Sequence, residues 1–170
     1  MTNLIRMMNF INKLNIMRKL EKYTATILSK IKFLVLSNQK GLTMKLPNQL
    51  HYTKEHLWVL QNPDGIWLTG ITDYAQDLLG DIVFIEPPKL NAVLINGTPC
   101  GIVESVKTGS DLHAPMNGVV SEINEDLLNA PEGINDKPYD AWIFKFKPDD
   151  VTATTHFLSA EAYKVLIDAD

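Results

Sequence analysis

From residue 50 onward, apolar and polar residues alternate in short runs broken by Gly, Pro, Asn and Asp. Residues 56–60 and 66–71 are rich in β-branched and aromatic side chains, and Asn62-Pro63-Asp64-Gly65 separates them. Proline presets φ for a turn while Asp and Gly accept the remaining turn conformations, so the pattern predicts a β-hairpin. Thr72 is placed to cap a short helix over 73–79 that Gly80 stops. A strand over 81–86 ends at Pro87-Pro88, which cannot donate to a ladder. Strands are also expected over 101–106, 111–114 and 118–123, followed by one helical turn over 125–129 before Pro131. Residues 141–147 read as a long strand with Trp142, Phe144 and Phe146 on one face. Ser159 is positioned to cap a closing helix over 160–167. Many short strands punctuated by Gly and Pro predict a mainly β fold, a sandwich or flattened barrel with short peripheral helices and a C-terminal helix.

Composition divides the chain near Met44. Phe, Ile, Lys, Asn and Tyr make up 19 of the first 43 residues and 34 of the next 127. Residues 1–43 carry eight Lys/Arg against one acid, whereas residues 44–170 carry eight against nineteen. The acidic body is a poor nucleic-acid ligand, because phosphate meets a repulsive field. The basic extension reads as an unpacked leader or translated upstream sequence with Met44 the true start; a transit peptide and a functional arm are the competing readings. Its longest apolar run, residues 27–36, is short and interrupted by Lys30 and Lys32, so it does not read as a membrane span. With 170 residues the chain can bury a core without staples, and its single cysteine, Cys100, excludes an internal disulfide framework. Cys100, between Pro99 and Gly101, has no base or cation beside it and reads as a small buried apolar residue.

Chemistry concentrates in one turn. Gly101-Ile102-Val103-Glu104-Ser105-Val106 and the run from Asp111 flank Val106-Lys107-Thr108-Gly109, with Gly109 expected to take positive φ and close the turn. Such a turn lifts Lys107 clear of the body. The following Ala114-Pro115-Met116-Asn117-Gly118-Val119-Val120 resembles the second turn of carrier domains that bear a swinging cofactor on lysine. His51, His56, His113 and His156 show no metal-ligand spacing with acids or thiols. Gly101 and Gly109 are isolated and form no phosphate loop.

From about Leu50 to its C-terminus the chain resembles the glycine cleavage H proteins, a family of lipoyl carriers. The resemblance rests on Gly70-Ile71-Thr72-Asp73-Tyr74-Ala75-Gln76, Leu79-Gly80-Asp81-Ile82-Val83-Phe84, Glu104-Ser105-Val106-Lys107, Ser110-Asp111 with Ala114-Pro115, and Asn129-Ala130-Pro131-Glu132. Pro138-Tyr139, Trp142-Ile143-Phe144-Lys145 and the final Ala-Tyr helix complete it. Val106 and Thr108 stand where biotin carriers have methionines. The resemblance implies a flattened β-barrel of the lipoyl/biotinyl-carrier type, with lipoate amide-linked to Lys107 and with Glu104 and Asp111 flanking it in the motif.

It further implies a non-catalytic, monomeric carrier. Such a carrier shuttles an aminomethyl group from a pyridoxal-phosphate glycine decarboxylase to a tetrahydrofolate-dependent aminomethyltransferase, and electrons to an FAD-containing dihydrolipoyl dehydrogenase. A lipoate ligase or lipoyltransferase attaches the cofactor. The implied location is the bacterial cytoplasm, or the mitochondrion if residues 1–43 are a transit peptide. Three features depart from the pattern. Leu57 replaces the acid usual before Trp58, Leu90-Asn91 lacks the glycine expected after Pro87, and the loop through Pro138 and Trp142 is short and has no glycine. These departures leave two alternatives: a relay that hands lipoate to other lipoyl enzymes, and an unmodified binding module.

Overall fold

The computed structural model describes residues 44–169. The basic extension, with the leader and start-site readings placed on it, lies outside them. Nine strands and four helices follow one another: β1 (His51–Tyr52), β2 (Leu57–Leu60), β3 (Trp67–Ile71), α1 (Asp73–Leu79), β4 (Ile82–Glu86), β5 (Val93–Leu94), β6 (Pro99–Ser105), β7 (Gly109–His113), β8 (Gly118–Ile123), α2 (Glu125–Asn129), α3 (Gly133–Asp136), β9 (Phe144–Pro148) and α4 (Ala160–Ile167). The count is of the described residues. Six strands form one sheet in the order β1-β2-β3-β9-β8-β5, and β4-β6-β7 form a second. Every pairing is antiparallel. The fold is thus a mainly β sandwich with peripheral helices.

The two sheets bury their facing side chains together. Val59, Trp67, Phe144 and Phe146 of the larger sheet join Ile85, Val103 and Leu112 of the smaller in one core. Strand β2 is buried on both faces, because Leu57 and Val59 enter that core while Trp58 enters a second cluster with Tyr52 and Tyr163. Tyr163 belongs to α4, and its ring stacks on Tyr52 at 4.8 Å between centroids. The closing helix therefore covers the outer face of the β1–β2 end. Ser159 caps it, accepting from the Ala162 amide at 3.2 Å, and Thr72 caps α1 in the same way through Ala75.

The strand expected over 141–147 begins only at Phe144. Asn124 Nδ2 donates to the Trp142 carbonyl at 2.7 Å, and the Asn124 amide donates to the Ile143 carbonyl. Those carbonyls serve the α2 cap rather than a ladder. Trp142 consequently packs with the second cluster and not with Phe144 and Phe146, and the side chain of Lys145 sits over its ring at 4.6 Å. Helix α3 and the two-residue strands β1 and β5 carry no local pattern that predicts them. Strands that short exist through their partners, Tyr52 opposite Trp58 and Val93 opposite Val119.

Candidate functional site

Strands β6 and β7 pair from Pro99–His113 to Glu104–Gly109, leaving residues 106–108 as the hairpin tip. Gly109 is the first residue of β7 and is not among the glycines with positive φ, which corrects the turn chemistry expected from the sequence. A side chain closes the turn instead. The Ser105 Oγ accepts from the amides of Lys107 (3.3 Å) and Thr108 (3.2 Å) and donates to the Thr108 carbonyl (3.1 Å). The Ser105 amide also donates to that carbonyl at 2.7 Å. Serine hydroxyls that bond backbone two and three residues on build such turns, so no left-handed glycine is needed.

The tip is tied to the corner between α1 and β4, where the Val106 amide donates to the Asp81 carbonyl at 3.0 Å. Gly80 ends α1 with φ of 83°, a conformation that favours glycine. A Cβ there would lie 3.4 Å from Lys107 Cε, so the lysine stem rests over this glycine. Lys107 is exposed, and among the described residues its ammonium makes no ion pair.

The two flanking acids part company. Glu104 is exposed on β6 between Phe84 and Gly109, on the outer side of the smaller sheet. Asp111 lines a cleft of about 130 Å³ whose rim also includes Glu55, His56 and Ser110. Leu57, Ile71, Val103 and Leu112 form its apolar floor, and Ala75 and Leu79 of α1 form one wall. Leu79 directly precedes Gly80, so the α1 wall of the cleft ends next to the glycine over which the Lys107 stem rests.

Leu57 is only 1 % exposed, and it makes the floor apolar where the resemblance implied an acid. Glu55 reaches the same cleft without strand alternation, because residues 53–56 form a turn closed by the His56 amide on the Thr53 carbonyl. His56 holds the left-handed backbone of that turn, φ 62°, unusual for a residue with a Cβ. Its carbonyl accepts the Thr72 amide at 2.9 Å, and its Nδ1 is hydrogen-bonded to the Tyr163 hydroxyl at 2.9 Å. Thr72 Oγ1 meets the same hydroxyl at 2.8 Å. One phenol thus joins α4 to His56 on the cleft rim and to Thr72, the cap of α1. The sequence carries no signal for this hub, since its members lie up to 107 residues apart. Cys100 is partly buried against the main core, and burial pushes its thiol up to about 12, which disfavours the thiolate at neutral pH. Among the described residues, no three His, Cys, Asp or Glu side chains gather to hold a metal ion.

Fold and site together define a carrier-type β domain, a flattened sandwich that presents one lysine on a hairpin tip. The profile of the glycine cleavage H-protein family matches residues 50–170. The glycine cleavage system H protein of Methylobacillus flagellatus is 60 % identical over 124 residues, covering 73 % of this chain and 99 % of that protein. That of Geobacillus kaustophilus is 48 % identical over 125 residues, covering 73 % and 98 %. The crystal structure of a glycine cleavage system H protein from Mycobacterium marinum superposes with a TM-score of 0.66 at 35 % identity, over 72 % of this chain and 99 % of that one. The chain belongs to the glycine cleavage H-protein family.

Proposed function

We propose that this chain is the lipoyl-bearing carrier of a glycine cleavage system, with lipoate amide-linked to Lys107. The observation that carries this reading is the exposed Lys107 on a serine-closed hairpin beside an apolar cleft with an acidic rim. The residues fit the group. The amine has no competing ion pair among the described residues, and the floor of Leu57, Val103 and Leu112 suits an aliphatic arm. Once attached, the group supplies a redox-active dithiolane on a long tether, and the amide removes the lysine charge. Tethering raises the local concentration of that arm at each docked enzyme toward the mM scale.

The chain's own part is presentation and shelter. Ser105 holds the tip, Gly80 and Asp81 set its height, and Asp111 and Glu55 offer carboxylates to a cationic cargo in the cleft. The carrier catalyses no step itself. Glycine decarboxylase, an aminomethyltransferase, dihydrolipoyl dehydrogenase and a lipoate-attaching enzyme are its partners, and Glu104 stands exposed on β6 three residues before the lysine. Among the described residues, no helix is long and apolar enough to cross a membrane.

Intact mass after expression with lipoate tests the attachment. The native chain should gain one lipoyl group, Lys107→Ala should gain none, and peptide mapping should find the group on Lys107. Modification at Lys89 or Lys137 instead would overturn the reading. The apolar Leu57 in the cleft favours one rival, a relay that passes lipoate to other lipoyl enzymes. Glycine–bicarbonate exchange by glycine decarboxylase, supported by the lipoylated chain, supports the first reading; lipoyl transfer to a second apo-carrier without such exchange supports the rival.

A further inference from the structure

The corner beneath Lys107 is held from a distant element. In α3, the Asn135 Nδ2 donates to Gln76 Oε1 and to the Gly80 carbonyl, each at 2.9 Å. Its Oδ1 accepts the Ile82 amide at 2.9 Å. These bonds bracket Asp81, whose carbonyl accepts the amide of Val106, the residue before Lys107. Gly80, over which the lysine stem rests, has φ of 83° and little torsional resistance of its own. Among the described residues, the Val106 amide is the tip's backbone hydrogen bond to a part of the fold outside the β6–β7 hairpin. A side chain 53 residues from Ile82 and 55 from Gly80 therefore sets the platform on which the tip sits.

We propose that Asn135 is a positioning residue for Lys107: by locking Gly80 and Ile82 it holds the hairpin tip in the pose that a lipoate-attaching enzyme accepts. This deepens the reading of Lys107 as the attachment site and rests on it. The physical consequence is specific. When the competent pose is only fractionally populated, apparent affinity falls by that fraction while the bound state reacts as before. Loss of Asn135 should therefore raise KM for the carrier and leave kcat unchanged. A merely structural asparagine would lower the folded fraction and loosen the whole molecule equally.

The test uses the full chain, with lipoate–protein ligase, lipoate and ATP as the probe, and amide hydrogen exchange read by NMR. Asn124→Ala is the control, since Asn124 also bonds backbone, at Trp142 and Leu127, but none of the corner's atoms. In Asn135→Ala, exchange at Val106 should rise about ten-fold relative to the amides at the centre of β6, and KM should rise by a similar factor. Asn135→Asp keeps the acceptor for Ile82 but sets a carboxylate oxygen against the Gly80 carbonyl, so it should show a shift of the same kind and serves if the alanine variant fails to fold. The proposal is overturned if Val106 exchange rises only in step with the centre of β6, if KM does not move, or if Asn124→Ala gives the same split. A native chain that takes no lipoate at Lys107 would sink the attachment reading instead, and Val106 exchange would still decide whether Asn135 anchors the tip.

Discussion

At the residue scale, the side chains around the cleft decide how well a cargo is sheltered. Leu57 contributes an apolar floor and no partner for a charged amine, while Glu55 and Asp111 stand at the rim. A charge-assisted hydrogen bond contributes about 1.5–3 kcal/mol, so an acid at position 57 should retain the loaded arm roughly ten-fold longer or more. The aminomethylated carrier is expected to decay faster in the native chain than in Leu57→Glu, with loss of cargo followed by mass. Equal lifetimes would assign the amine to the rim acids, and the Glu55→Gln, Asp111→Asn double variant would then be the one to lose cargo faster.

At the element scale, α4 and the β1–β2 end are joined through tyrosines. Burial, first of all, pushes the Tyr139 phenol up to about 12, and burial also raises that of Tyr52, whose hydroxyl donates to the Pro47 carbonyl at 2.9 Å. A phenol with a raised pKa in the fold stays protonated where the unfolded chain has begun to ionise. Its contribution is fully present below pH ~10, the unfolded value, and is lost as pH rises through the folded value. The melting temperature should therefore fall between pH 10 and about 12, and Tyr139→Phe should make that fall shallower. An unchanged slope by circular dichroism would show that Tyr139 ionises freely in the fold. The opposite sign holds at the start of α4. There Glu161 sits below its usual range through bonds to its own amide and to Ser159, so its small contribution fades as pH falls.

At the scale of the whole molecule, the described residues 44–169 hold a complete core, two sheets and the candidate site, and the family profile begins at residue 50. On the sequence reading of residues 1–43 as a leader, a chain starting at Met44 should unfold within about 1 kcal/mol of the full chain, the range for removing terminal residues that pack against nothing. A larger loss in denaturant titration would make the basic extension part of the fold. The excess of acids in residues 44–170 gives this part of the chain a negative field that attracts basic surfaces. That attraction is screened over about 8 Å at physiological salt.

What the sequence determined by itself is what local chemistry controls. Thr72 and Ser159 cap helices over the residues their spacing predicted, Asn62-Pro63-Asp64-Gly65 turns a hairpin, and Glu104-Ser105-Val106-Lys107 marks the tip. Each depends on neighbours a few residues away, whose torsional and hydrogen-bonding preferences are carried by the residue types themselves. Only the tertiary structure decided the rest. It diverted the Trp142 and Ile143 carbonyls to Asn124 and placed Glu55 and Asp111 in one cleft while leaving Glu104 outside it. It also brought Asn135 to Gly80 and Tyr163 to His56. Those pairings join residues 18 to 107 apart in the chain. Which polar groups meet there depends on how two sheets and a helix close over a shared core, and no local preference encodes that.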